Sequence, residues 1–152
     1  MPARFTIVVD CRNPEPLARF WAAALDYVLE PPPEGFETWD DWRRDIGLPE
    51  SYLGVGFDSI VDPRGEGPRV WFNVVTEAKV GKNRLHFDVH ASGGSPTASS
   101  DVPLAIRKQR IDAEATRLAD LGATITGALT PEGSDHYAMG MRDPEDNEFD
   151  IN

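Results

Sequence analysis

Two distant stretches of this chain are written alike. "RFTIVVD" (4–10) and "RLHFDVH" (84–90) are both β-rich, and each is followed by a helical segment and then by short strands. The turn "VDPRG" (61–65) recurs as "RDPED" (142–146), and the strand after it carries "FNV" (72–74) in one half and "FDI" (149–151) in the other. This alignment sets Thr6 against His86 and Asn73 against Asp150, with extra residues in the last turn of the first half. A chain of 152 residues built on such a repeat has few options. It is expected to form two βαβββ modules related by a pseudo-twofold, one over about 1–78 and the other over about 83–152.

The local patterns fill in the modules. Alternation along 4–10 puts Phe5, Ile7 and Val9 on one face and Thr6, Val8 and Asp10 on the other. Asn13-Pro14 reads as an N-cap followed by proline at the first helical position. Leu17, Phe20, Trp21, Ala24 and Val28 then make a helical stripe, ended by "LEPPPEG" (29–35). Residues 36–51 read as a loop with one short helix, where Trp39 and Trp42 form either a satellite packing cluster or a lid. Strands are expected over 52–62 and 68–77, separated by "DPRGEG", and again over 84–90. "ASGGSPTASSD" (91–101) reads as a loop. A helix over 103–121 shows Leu104, Ile111, Ala115 and Leu118 on one stripe, with Gly122 as its cap. "ATITGAL", "HYAMGMR" and "NEFDIN" complete the set as short strands.

The fold class is therefore α+β: one domain, 1–152, of two tandem βαβββ modules forming a curved, mixed, mostly antiparallel sheet. Helices would cover the face carrying Phe5, Ile7, Val9, Phe72, Val74, Phe87, Val89, Phe149 and Ile151. Thr6, Asn73, His86 and Asp150 would then point the other way, into a shared concave cleft.

Charge narrows the partners. Twenty-six acidic against fifteen basic residues leave a net charge of −11. Such a field repels phosphate backbones and attracts cationic small molecules, so nucleic acid is not an expected partner. No run is apolar enough to span a membrane, and the apolar run in "MPARFTIVVD" is short and ends in Asp10, so it is not expected to be a secretory h-region. With Cys11 as the lone cysteine, a cytoplasmic setting is expected.

Three longer stretches carry a resemblance: "NPEPLARFWAAALDY", "KNRLHFDV" and the terminal "DPEDNEFDI". Over nearly its whole length the chain resembles the vicinal oxygen chelate superfamily, the glyoxalase/bleomycin-resistance/ring-cleaving dioxygenase group. Within it, the chain is similar to a glyoxalase-like branch frequent in actinobacteria. The terminal stretch resembles the family's Asp-Pro-(Glu/Asp)-Gly-Asn turn before the last strand. The resemblance implies a homodimer, in line with the twofold symmetry usual for small oligomers. It also implies metal-ligand positions on the inward side of the first and last strands of each module, which here hold Thr6, Asn73, His86 and Asp150. His86 and Asp150 offer an imidazole nitrogen and a carboxylate oxygen for a divalent metal ion, whereas Thr6 and Asn73 offer weak, uncharged donors. The ligand set is incomplete by this measure.

The superfamily hosts lyases, isomerases, dioxygenases and non-catalytic binders. Two functions therefore stay open. One is a glyoxalase-like enzyme of lyase or isomerase type, with His86 and Asp150 as catalytic acid–base couple. The other is a bleomycin-resistance-like binder that sequesters a cationic or aromatic compound. A scaffold acting through protein contacts is the third and blander possibility. Asp88 and His90 share a strand face with His86, but alternate strand residues lie about 6–7 Å apart, so all three seldom reach one ion. With Thr6, Trp71 and Asn73, they are candidate ligand contacts, Trp71 as an aromatic wall. His136 reads as an exposed loop histidine before it reads as a residue of the cleft's mouth, and Asp10 and Arg69 read as solvated strand ends before cleft-border residues. Lys82 and Arg84 read as carboxylate-binding or salt-bridging residues.

Overall fold

The computed structural model describes residues 3–93 and 101–152. The chain divides into two compact units, one ending at Ala78 and the other beginning at Lys79. The first contains β1 (Thr6–Cys11), α1 (Pro14–Leu25), β2 (Val28–Leu29), α2 (Trp39–Asp45), β3 (Ser59–Val61) and β4 (Arg69–Val74). The second contains β5 (Asp88–Val89), α3 (Leu104–Asp120), β6 (Thr124–Leu129), β7 (Ala138–Arg142) and β8 (Glu148–Ile151). Each forms a four-stranded sheet, ordered β1-β4-β3-β2 and β5-β8-β7-β6. In both, the first strand runs parallel to the last, and the other two ladders are antiparallel. The α+β repeat read from the sequence is thus a repeat of topology.

One helix closes the apolar face of each sheet. In the first unit Leu17, Phe20, Trp21 and Ala24 of α1 are buried, as are Ile60, Val70 and Phe72 of the strands it packs on. In the second, Ile111, Ala115 and Leu118 of α3 are buried with Met141, Phe149 and Ile151. Full burial of side chains this size contributes roughly 1.5–3 kcal/mol each before entropy is counted. The alternate residues of the same strands must then face away from the helices.

Several local expectations give way to tertiary context. Phe5 is 69 % exposed and precedes β1, whose pairing with β4 begins only at Thr6. Val28 leaves the helical stripe: Asp26 adopts a left-handed conformation, α1 stops, and Val28 pairs with Val61 in β2. Asn13 stands at the N-cap position but makes no side-chain capping bond, while Pro14 does open α1. Of 52–62 only Ser59–Val61 is strand, because Gly54 and Gly56 take positive φ just before it. Of 84–90 only Asp88–Val89 is strand. Residues 94–100 of the Gly/Ser-rich segment lie outside the described residues.

The 36–51 segment holds α2, opened by a capping box in which Thr38 and Asp41 bond each other's backbone N–H. Its Arg43 is buried, donating to Asp40, Asp58 and the Gly56 carbonyl. Trp39 and Trp42 meet edge to face at 5.4 Å, and the Trp39 indole N–H donates to the Glu30 carbonyl. Burial works to raise the Asp40 carboxyl, but the Gly54 N–H and Arg43 together hold it below its usual range.

The two matched turns share a mechanism. Asp62 accepts from the N–H groups of Arg64, Glu66 and Gly67, and Asp143 accepts from those of Glu145 and Asn147. Each closes a four-residue turn whose last residue is left-handed: Gly65 at φ 71° and Asp146 at φ 65°. Glycine reaches this region without steric cost, aspartate does not. Asp146→Gly should therefore raise stability by about 0.5–1 kcal/mol, read as a later urea midpoint. Arg43→Met, which strands two partly buried carboxylates, should lower stability by about 2–3 kcal/mol in the same measurement.

Candidate functional site

The second unit places its chemistry on β8 and the chain just before β5. Phe149 and Ile151 of β8 are buried, so Glu148 and Asp150 project from the opposite face. β5 runs parallel beside it with Asp88 directly across from Asp150 and Val89 across from Ile151. The Asp150 N–H donates to the Phe87 carbonyl, extending the pairing to the residue after His86.

Residues 79–87 have no regular structure, so something must hold them against β8. Glu148 does this: its carboxylate accepts from the Asn83 N–H at 3.0 Å and from Lys79 Nζ. Those two bonds hold its carboxyl far below the usual range, at about 2. Asn83 also donates to Asn147 Oδ1. Glu148 was not singled out from the sequence, although it shares strand parity with Asp150 in "NEFDI".

At the end of this tethered segment His86 comes to Asp150. Its Nε2 lies 3.5 Å from Asp150 Oδ2 and 3.8 Å from Asp88 Oδ1. These separations exceed hydrogen-bonding distance. A shared cation would draw the donors in by a few tenths of an ångström: metal–ligand bonds of about 2.1 Å at tetrahedral or octahedral angles set donors roughly 3.0–3.4 Å apart. One ligand atom from each residue lies within 4.8 Å of the other two. Two carboxylates held this close repel one another, and a cation between them removes the repulsion. One imidazole nitrogen and two carboxylate oxygens are a donor set for a borderline or hard divalent ion, so the residues fit one. Among the described residues this is the one such group.

The strand spacing that argued against Asp88 joining His86 does not apply, because His86 precedes the regular strand and is free to turn back. His90 does not join them. Its Nδ1 meets Asn152 Oδ1 at 2.6 Å, two residues further along both strands.

The candidates of the first unit are arranged differently. Asn73 donates to Asp10, its rung partner, at 2.9 Å. Thr6 pairs with Arg69, four positions before Asn73, a separation of about 13 Å along the strand. Thr6 instead lines an open groove of about 700 Å³ with Arg4, Phe5 and Arg69. Equating the Asp10–Asn73 rung with Asp88–Asp150 makes Val8, not Thr6, the counterpart of His86. The sequence alignment was thus slipped by two residues, a slip that leaves every side chain on the same face and so leaves no mark in the hydrophobic pattern. Trp71 is half-buried and donates through its indole N–H to Asp58, which also receives Arg43. Arg69 is engaged by Glu30 and Ser59. His136, Lys82 and Arg84 are exposed.

Glu148→Gln should loosen the 79–87 segment and lower stability at neutral pH. Since the folded carboxyl titrates below its unfolded value, its contribution is present above about pH 4.5 and is lost as pH falls towards 2. The wild-type and variant urea midpoints should accordingly differ at pH 7 and converge as pH approaches 2.

The glyoxalase-like domain family matches residues 6–152. No curated protein matches the chain. Solved structures share the fold at low identity. A hypothetical protein from S. aureus superposes with a TM-score of 0.59 at 10 % identity, covering 99 % of this chain and 93 % of that one. A glyoxalase/bleomycin resistance protein/dioxygenase family enzyme from Burkholderia phytofirmans gives 0.55 at 17 % identity, with 97 % and 94 % covered. The fosfomycin resistance protein FosX from Mesorhizobium loti gives 0.51 at 12 % identity, with 99 % and 89 % covered. With the family matched over almost the whole chain and the doubled topology present in both units, this protein belongs to the glyoxalase-like domain family of the vicinal oxygen chelate superfamily.

Proposed function

We propose that the protein binds a small organic molecule over the polar face of its second unit. His86 and Asp150 would carry an acid–base step of lyase or isomerase type there with the cation absent; a divalent cation held by His86, Asp88 and Asp150 would take His86 Nε2 as a ligand and act in place of that couple. The observation that carries this reading is the approach of His86 Nε2 to both carboxylates, at 3.5 and 3.8 Å. Without the cation, His86 takes a proton from the ligand at Nε2 and returns it to a neighbouring atom. Asp150 orients the ring and stabilises the imidazolium while the proton is held. The side chains of His86 and Asp150 are 38 % and 29 % exposed, so a ligand can reach both. When bound, the cation would polarise a ligand oxygen, and three protein donors leave it room for one.

A second reading is sequestration without turnover, favoured by the first unit. There the half-buried indole of Trp71 shares a strand face with Thr6, Asp10 and Asn73, a face suited to contacts with a cationic or aromatic compound. A fold neighbour named for fosfomycin resistance is consistent with a protective role. For either reading we propose a cytoplasmic homodimer, the buried lone thiol of Cys11 suiting a reducing compartment.

Metal analysis of protein purified without chelator should find about one divalent ion per chain, and Asp88→Asn or Asp150→Asn should each weaken Mn²⁺ binding at least ~10-fold by calorimetry. Absence of an ion together with unchanged Mn²⁺ titrations across these variants would dismiss the cation. Tryptophan quenching by cationic and aromatic compounds that is equal in wild type and His86→Ala, with no turnover in either, would favour sequestration.

A further inference from the structure

The rung that carries Asp88 and Asp150 does not end at β8. It continues across the sheet to Gly140 on β7 and Gly127 on β6. Gly140 puts no side chain beside Asp150. The β6–β7 register breaks at this point: Ile125 faces Met141, but Gly127 rather than Thr126 faces Gly140. Thr126 is the extra residue of a β-bulge, a device that re-aims side chains. Gly127 takes φ 141°, a conformation that favours glycine. As a result Thr126 Oγ1 lies over Gly140, 2.6 Å from where a Cβ on that residue would stand. The threonine hydroxyl thus occupies the place of the missing side chain. Asp150 is directly opposed to Gly140, so this hydroxyl stands on the same face as the Asp150 side chain, over the neighbouring strand. The hydroxyl makes no hydrogen bond to a described residue.

Resting on the reading of His86, Asp88 and Asp150 as a cation site, we propose that Thr126 is a positioning residue of that site. Its hydroxyl hydrogen-bonds a water or ligand oxygen held there, on the side opposite His86. The bulge and the two glycines are what deliver it. Gly140 leaves the space, and Gly127 accepts the backbone conformation that turns Thr126 into it. Ligands presenting an oxygen acceptor on this side are the class the residue selects.

Mn²⁺ alone, whose bound oxygens are water, is the probe. Thr126→Val keeps the shape and removes the hydroxyl, and should raise the Mn²⁺ Kd about 10-fold. Thr126→Ser, which keeps the hydroxyl, should stay within about threefold of wild type. Gly140→Ala should weaken binding like Thr126→Val, because its methyl would displace the hydroxyl. Urea midpoints should not separate Thr126→Val from Thr126→Ser at this exposed position, so a stability effect cannot mimic the result. Wild-type affinity in Thr126→Val, with Asp150→Asn still impaired, overturns the role of Thr126 and leaves the cation site standing. Indifference of Mn²⁺ binding to His86→Ala, Asp150→Asn and Thr126→Val alike overturns both.

Discussion

The parallel ladder between the first and last strands of each unit is the constraint on which the rest depends. It joins the two ends of a module directly, so Asp88 and Asp150 face each other across one rung although a helix and two strands separate them in the chain. Burial of Phe149 and Ile151 under α3 sets which way their neighbours point. Given that, the carboxylate of Asp150 has no choice of side. The same constraint in the first unit sets Asp10 against Asn73. There the pair satisfies itself with a hydrogen bond. In the second unit two carboxylates face each other, and repulsion leaves a demand for positive charge.

The second unit brings His86 to this pair by an irregular approach. His86 lies outside regular strand, and its segment is anchored by Glu148, two residues from Asp150 on the same strand face. One strand therefore both supplies a site residue and secures the segment that brings the imidazole. An irregular stretch tied at one end can bend where a strand cannot, and that bend lets residues 86 and 88 converge.

How much of this was legible is clear from individual residues. The topology was, because both halves repeat their strand and turn signals, and the turns proved alike down to the aspartate that caps each one. The approach of His86 to Asp150 was anticipated through strand parity and the family resemblance. The pairing of Thr6 with His86 was not sound, since a two-residue slip preserves parity. Phe5 and Val28 were misread for a related reason: periodicity reports which residues could share a face, and not where a strand's pairing begins or where a helix stops. Thr126 could not be found at all, because a bulge is a property of two strands together.

The amino-acid sequence alone determined the α+β class, the doubled module, the acidic field and which residues of the last strand share a face, since all of these follow from local pattern and composition. The tertiary structure alone decided the register of the ladders, the bend that brings Asp88 into reach of His86 and the tether through Glu148. Those depend on distances between segments far apart in the chain, which no local periodicity encodes.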